Sequence, residues 1–272
     1  TLFYDVELSY GVSYEYSLYV VGDIGQTSIP VFLNIIVPTS IFVPDDYSTI
    51  QEAIDSSSNT DAIYVRPGTY HENLYWAGRP VSIISTDGPE NTIIDGNAND
   101  KVFRIHNVSN GGNTLSGFTI KNGSSTEHAT AGGLHITESD IRLDNLIIKE
   151  NKNADGHIFS GVSVVYSSTK FINCKIQNNE KGGIYIQDGQ STPYFHNVLF
   201  KGHTSRALQL KNTDVVIDSC EFIDNTGGGI WIEGSGIDKS SSIRKTLFSR
   251  NGDSWWGGLY ISGNSRDIGI NK

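Results

Sequence analysis

The chain has no methionine, only two cysteines and only seven prolines among 272 residues. No stretch approaches the ~18 consecutive apolar residues of a membrane-spanning helix, so membrane insertion is not expected. Basic residues are also scarce: 20 Lys and Arg stand against 30 Asp and Glu, for a net charge of −10. That balance argues against nucleic acid and against an anionic membrane surface as partners. It argues against a bare polyanion too, unless Ca²⁺ bridges the two. With no Met at position 1 and no leader, the chain reads as an internal piece of a larger polypeptide, so the missing signal peptide says nothing about export. The two cysteines do not identify a redox compartment. The length suits one large domain or two small ones.

What the chain does have is repetition, in a sequence with 29 glycines. Six stretches align one beneath another: L-S-G-F-T-I-K-N-G from Leu115, L-D-N-L-I-I-K-E-N from Leu143, F-I-N-C-K-I-Q-N-N from Phe171, F-H-N-V-L-F-K-G-H from Phe195, I-D-S-C-E-F-I-D-N from Ile217 and I-R-K-T-L-F-S-R-N from Ile243. Their starts lie 28, 28, 24, 22 and 26 residues apart, and self-similarity in this range marks a solenoid. The first column is always apolar. So is the sixth, which holds Ile120, Ile148, Ile176, Phe200, Phe222 and Phe248. The units are β-branched and aromatic with no helical period, so the solenoid is built of strands.

A second repeat interleaves with the first: G-G-L-H-I at Gly132, G-V-S-V at Gly161, G-G-I-Y-I at Gly182, A-L-Q-L at Ala207, G-G-I-W-I at Gly228 and G-G-L-Y-I at Gly257. Its alternation is that of half-buried strands. One coil cannot bury its own apolar face, but coils stacked at ~4.8 Å share a continuous core. The fold expected is an all-β parallel β-helix. The ninth column holds Gly123, Asn151, Asn179, His203, Asn225 and Asn251, which reads as an inward asparagine ladder satisfying turn backbone. Cys174 and Cys220 share a core column with Val198 between them. Two coils are ~9.6 Å, beyond the ~7 Å a disulfide tolerates, so both should be free and buried.

Residues 1–40 break the coil pattern and read as antiparallel strands: F-Y-D-V-E-L, Y-E-Y-S-L-Y-V-V and I-P-V-F-L-N-I-I-V. With Leu8 six residues before Tyr14 and the turn V-G-D-I-G-Q-T-S, the segment resembles the last strands of a fibronectin type III domain, where such a tyrosine bonds back to upstream backbone. In S-T-I-Q-E-A-I-D, Ser48 as N-cap and Gln51 as its capping-box partner predict a helix over 48–56 that covers the open end of the solenoid. With D-A-I-Y-V-R-P-G-T-Y-H-E and I-I-D-G-N, residues 41–272 resemble the right-handed β-helices of the pectin-lyase-like superfamily, to which pectinesterases and NosD-like repeat proteins belong. The resemblance implies the right-handed fold and no particular reaction.

The superfamily's catalytic signatures are missing. A D-F-I-F-G-like strand, W-x-D-H and D-P-H-D do not occur, and of the polygalacturonase set only Asn212-Thr213-Asp214 is present, as a chance tripeptide in a turn. No catalytic residue carries over from the resemblance. Stacking geometry supplies two candidate patches instead. One is the outward column His135, Ser163, Tyr185, Gln209, Trp231 and Tyr260, with Lys211 and Glu233 beside it. Aromatic faces next to polar groups bind sugars; the plain alternative is an exposed aromatic ladder with a surface ion pair. The substrate-binding candidates are Tyr185, Gln209, Lys211, Trp231, Glu233 and Tyr260. The other patch is His196, Asp218 and Arg244 on consecutive coils, with Glu221 nearby. A carboxylate between His and Arg could serve as base or nucleophile; the same alternation of charge also makes a stable ladder. Asp95, Asn97 and Asn99 have the D-x-N-x-N spacing of a Ca²⁺ loop without its glycine or closing glutamate, so neither a metal site nor a cofactor is assigned, Ca²⁺ being the one candidate. Glu72 reads as a turn-holding residue of the first coil.

Two functions compete. The first is a non-catalytic module, secreted or at a bacterial cell surface, that binds a polysaccharide or surface glycan as a monomeric part of a multidomain protein. The second is a carbohydrate-active enzyme, a polysaccharide lyase or glycoside hydrolase on a pectin- or uronate-like substrate. The sequence leaves catalysis itself undecided.

Overall fold

The computed structural model describes residues 13–19, 27–36, 39–58, 61–108, 112–128, 130–155, 158–189, 192–234, 241–252, 257–262 and 269–271. Three parallel sheets dominate it, one of ten strands and two of eight. Each coil visits the first, second and third sheet in turn, as in Asp140–Asp144, Ile147–Lys149 and Phe159–Val165, followed by Ser168–Ile172, Lys175–Gln177 and Gly182–Gln187. The first sheet begins earlier, with Ser40–Val43 paired in parallel to Ala62–Val65.

Register follows the repeats residue for residue. Ile120, Ile148, Ile176, Phe200, Phe222 and Phe248 are consecutive partners in the second sheet. The first five are fully buried, and Phe248 packs against the same core. Leu115, Leu143, Phe171, Phe195, Ile217 and Ile243 do the same in the first sheet. Like residues on adjacent coils stack: the Phe171–Phe195 and Phe200–Phe222 ring centroids are 4.8 and 4.5 Å apart. A one-residue slip would turn each column to solvent.

The ninth column is a ladder of hydrogen bonds. Asn151 Nδ2 donates to Asn179 Oδ1 (3.0 Å) and to Ile120 O (3.2 Å). Asn225 Nδ2 donates to Asn251 Oδ1 (2.8 Å) and to Phe200 O (3.1 Å). Glycines near the start of the third-sheet strands make room for it. A Cβ on Gly161 would lie 2.4 Å from Gly183 O and 2.9 Å from Asn179 Nδ2. Cys174 and Cys220 are free and buried, and Leu199 N and Glu221 N bond to Cys174 O and Val198 O, one coil apart each.

The helix spans Ile50–Ser56, and its start differs from expectation by one residue. Thr49, not Ser48, is the N-cap, and Glu52, not Gln51, closes the capping box. Ile50, Ala53 and Ile54 form the buried face of the helix, as their helical spacing requires. Gln51 is left free to bond the main chain of Tyr75: its Oε1 accepts from Tyr75 N (2.8 Å) and its Nε2 donates to Tyr75 O (3.1 Å). Tyr75 lies on Leu74–Ala77, the edge strand of the third sheet.

Ser13–Leu18 and Val31–Ile36 form an antiparallel pair with its own two-stranded sheet. Val31, Phe32 and Leu33 are all exposed. The F-Y-D-V-E-L strand, Leu8 and most of the V-G-D-I-G-Q-T-S turn lie outside the described residues.

Candidate functional site

The third sheet presents its outward column as expected. His135, Ser163, Tyr185, Gln209, Trp231 and Tyr260 are consecutive partners, and Lys211 is opposite Glu233. Their exposure differs from expectation. Tyr185 and Gln209 are only 7% and 5% exposed, because each is roofed by its neighbours. Tyr185 stacks on Phe159 at 5.2 Å and donates to Gln187 Oε1 at 2.7 Å. Burial, and then the Glu233 and Asp188 charges, push its phenol up to about 12. Both residues are therefore the floor of the patch rather than its contact surface.

The organising residue is Arg206, which the alternating pattern passed over because it precedes the strand Leu208–Lys211. Its guanidinium lies 3.7 Å from the Trp231 ring centroid and donates to Gln209 Oε1 at 2.5 Å. Gln209 Nε2 donates to Glu233 Oε1 (2.8 Å), and Trp231 Nε1 donates to Glu233 Oε2 (3.1 Å). Glu233 thus turns to Gln209 and Trp231, and the surface pair expected with Lys211 is replaced by this chain. Tyr260 lies against Trp231 at 4.0 Å. With Arg206 on the coil before and Tyr260 on the coil after, neither face of Trp231 is an open stacking platform. Burial lowers the Arg206 pKa, against the opposing pull of Glu233. A cleft of about 160 Å³ opens beside this stack, lined by Arg206, Trp231, Leu259, Tyr260 and the backbone of Gly227–Gly229 and Gly257.

On the first sheet, His196, Asp218 and Arg244 are also consecutive partners. Asp218 is engaged on both sides. His196 Nδ1 is 3.3 Å from its Oδ2, Arg244 Nε is 3.2 Å from its Oδ1, and Ser219 Oγ donates to Oδ1 at 3.2 Å. Desolvation pushes this carboxyl up. The hydrogen bonds and charge of Arg244, aided by Ser219 and His196, outweigh that and hold it below the usual carboxylate range. Glu221 begins the second-sheet strand and partners Leu199 and Leu247.

The family described as a right handed beta helix region matches residues 104–271. The chain belongs to this family. Among solved structures it is similar to the pectin methylesterase of Aspergillus niger in a penultimately deglycosylated form. The identity is 14% over 86% of this chain and 83% of that one, with a TM-score of 0.53. The deglycosylated form of that enzyme gives 16% identity over the same shares and a TM-score of 0.46. A pectin methylesterase mutant in complex with a hexasaccharide gives 12% identity over 87% and 93%, with 0.49. These identities show the fold alone. Comparison with curated protein sequences gave no match.

Within this right-handed β-helix the remaining candidates have structural partners. Asp95 Oδ1 accepts from Asn97 N (3.0 Å), and Oδ2 accepts from Asn122 Nδ2 (2.9 Å) and pairs with Lys121 (3.4 Å). The D-x-N-x-N segment thus forms a turn whose first carboxylate is already occupied by protein donors. Glu72 accepts from Ile50 N (2.9 Å) and Gln51 N (3.0 Å) and so caps the helix. Asn212 donates to Asp188, and Asp214 accepts from Ser241, which accounts for that tripeptide as turn chemistry.

Proposed function

We propose that this β-helix is a non-catalytic carbohydrate-binding module, secreted or displayed at a bacterial cell surface, and that it holds a polysaccharide or surface glycan at the Arg206–Trp231–Tyr260 cleft. The observation that carries the reading is the cleft itself: a guanidinium, two aromatic rings and a glycine backbone wall around a space of about 160 Å³. Such a site offers apolar contact to a sugar ring and hydrogen bonds to its hydroxyls. Binding is favoured over catalysis by how the carboxylates are used. Both Glu233 oxygens accept internal hydrogen bonds, whereas glycoside hydrolysis calls on a pair of carboxyl groups free to act on the glycosidic bond. Asp218, the candidate of the enzyme reading, is engaged by Arg244, Ser219 and His196.

The test is a glycan array followed by titration of the best hit. Arg206→Ala and Tyr260→Ala should each weaken binding tenfold or more, which is ~1.4 kcal/mol, and Asp218→Ala should leave it unchanged. A hit that is lost in Asp218→Ala and indifferent to Arg206→Ala would sink this site and restore the enzyme reading.

A further inference from the structure

A second cluster lies on the same outward face, five coils before Trp231 and so ~24 Å away at ~4.8 Å per coil. Its centre is Lys101, whose side chain is only 2% exposed. The ammonium is 3.1 Å from Glu127 Oε2 and 3.5 Å from Asp100 Oδ1. Arg104 Nη2 donates to the other oxygen, Glu127 Oε1, at 3.1 Å. One carboxylate therefore straddles a Lys–Arg pair, and that carboxylate is 54% exposed. Lys101 and Arg104 also line a cleft of about 200 Å³ with Asn73, Leu74, Tyr75 and Asp100. The Tyr75 side of this cleft is open to solvent, the residue being 50% exposed.

Burying an ammonium is costly unless it is paired, and the two carboxylates beside this one are both more than half exposed. The arrangement is that of a built oxyanion site whose occupant comes from the chain itself. We propose that Lys101 and Arg104 bind the carboxylate or sulfate group of an acidic sugar, and that Glu127 fills this site in cis until such a ligand displaces it. Displacement leaves two cations and Asp100, a net charge of plus one, facing the bound anion. The Lys101 ammonium foremost, with Arg104, holds Glu127 below the usual carboxylate range, so it competes in its charged form at neutral pH. The oxyanion site stands on Lys101 and Arg104 alone; that its carrier is a sugar rests on the reading above.

The test is calorimetric titration of the full chain with glucuronate, with N-acetylglucosamine 6-sulfate and with glucose. The two anions should bind and glucose should not. Glu127→Gln should raise anion affinity threefold or more by removing the competitor. Lys101→Met should abolish anion binding, and Arg104→Gln, at a half-exposed position that does not risk the fold, should lower it at least fivefold. All of these titrations are made in a Tyr260→Ala background, which takes the distant cleft out of the readout. Glucose binding as well as the anions, or a Glu127→Gln variant no tighter than the parent, or an Arg104→Gln variant of undiminished affinity, would each overturn the proposal.

Discussion

His203 stands between Asn179 and Asn225 in the ladder, and it shows what a single residue can do to the pH response. Its Nδ1 lies 2.9 Å from Asn225 Oδ1 and its Nε2 lies 3.4 Å from Asn179 Nδ2. A neutral ring with the proton on Nδ1 donates to one asparagine and accepts from the other. Burial pushes its pKa down to about 4, against the opposing Asn225 hydrogen bond. The folded value lies below the unfolded one, so between pH ~6.5 and ~4 the unfolded chain takes up a proton that the folded chain refuses. Stability falls across that window as pH falls, by about 3 kcal/mol in all. His203→Asn should continue the ladder and remove this loss. Urea melts at pH 7 and 4.5 should show a smaller difference for the variant than for the parent; an equal difference would count against the buried neutral ring. The cysteines give a second check at this scale. Burial raises Cys174 to about 12 and Cys220 to about 11, so neither should react with a thiol reagent at pH 8 until the chain is unfolded.

At the scale of elements, the repeat columns made strands and their register legible, because a period of two fixes which side chains face inward. The glycine near the start of the third-sheet strands was visible as a repeat, but its reason was not. The carbonyl of the next coil sits where a Cβ would go, at 2.4 Å for Gly161 and 2.3 Å for Gly183. Gly161→Ala should therefore cost on the order of 1–3 kcal/mol through overpacking. Gly257→Ala, with nothing within 4 Å of the new carbon, should be close to neutral by thermal melting. Comparable losses at both positions would refute the close-approach account. The candidate site was legible only as far as register. The alternation placed Trp231 beside Gln209 and Tyr260, but burial of Tyr185 and Gln209 depends on Phe159, which opens the strand Phe159–Val165 before its repeat begins, and on Arg206, which precedes Leu208–Lys211. The helix start was missed by one residue because Ser48-Thr49 offers two adjacent caps. The choice is fixed by Glu72, 22 residues away from Ile50, whose carboxylate takes the first two helical amides. Glu72→Gln should weaken the helix cap by about 1 kcal/mol, read as a lower urea midpoint.

For the whole molecule, the solenoid must protect its first open edge, and the structure offers two segments that could do so. The helix Ile50–Ser56 buries Ile50, Ala53 and Ile54 in the core and uses Gln51 to occupy both main-chain groups of Tyr75 on an edge strand. The pair Ser13–Leu18 and Val31–Ile36 hydrogen-bonds as a separate sheet and leaves Val31, Phe32 and Leu33 exposed. Apolar side chains that stay in water contribute nothing to a core, so we propose that the helix protects the edge. Removing residues 1–38 should leave the melting temperature of the β-helix within about 2 °C, since a loss of 1 kcal/mol shifts a domain of 150–250 residues by ~2–4 °C. It should also reduce self-association, because exposed strands with apolar faces invite pairing between chains. Gln51→Ala in the shortened chain should do the reverse, leaving Tyr75 unpaired and lowering the melting temperature. A shortened chain that fails to fold would show that the strand pair, and not the helix, closes the solenoid.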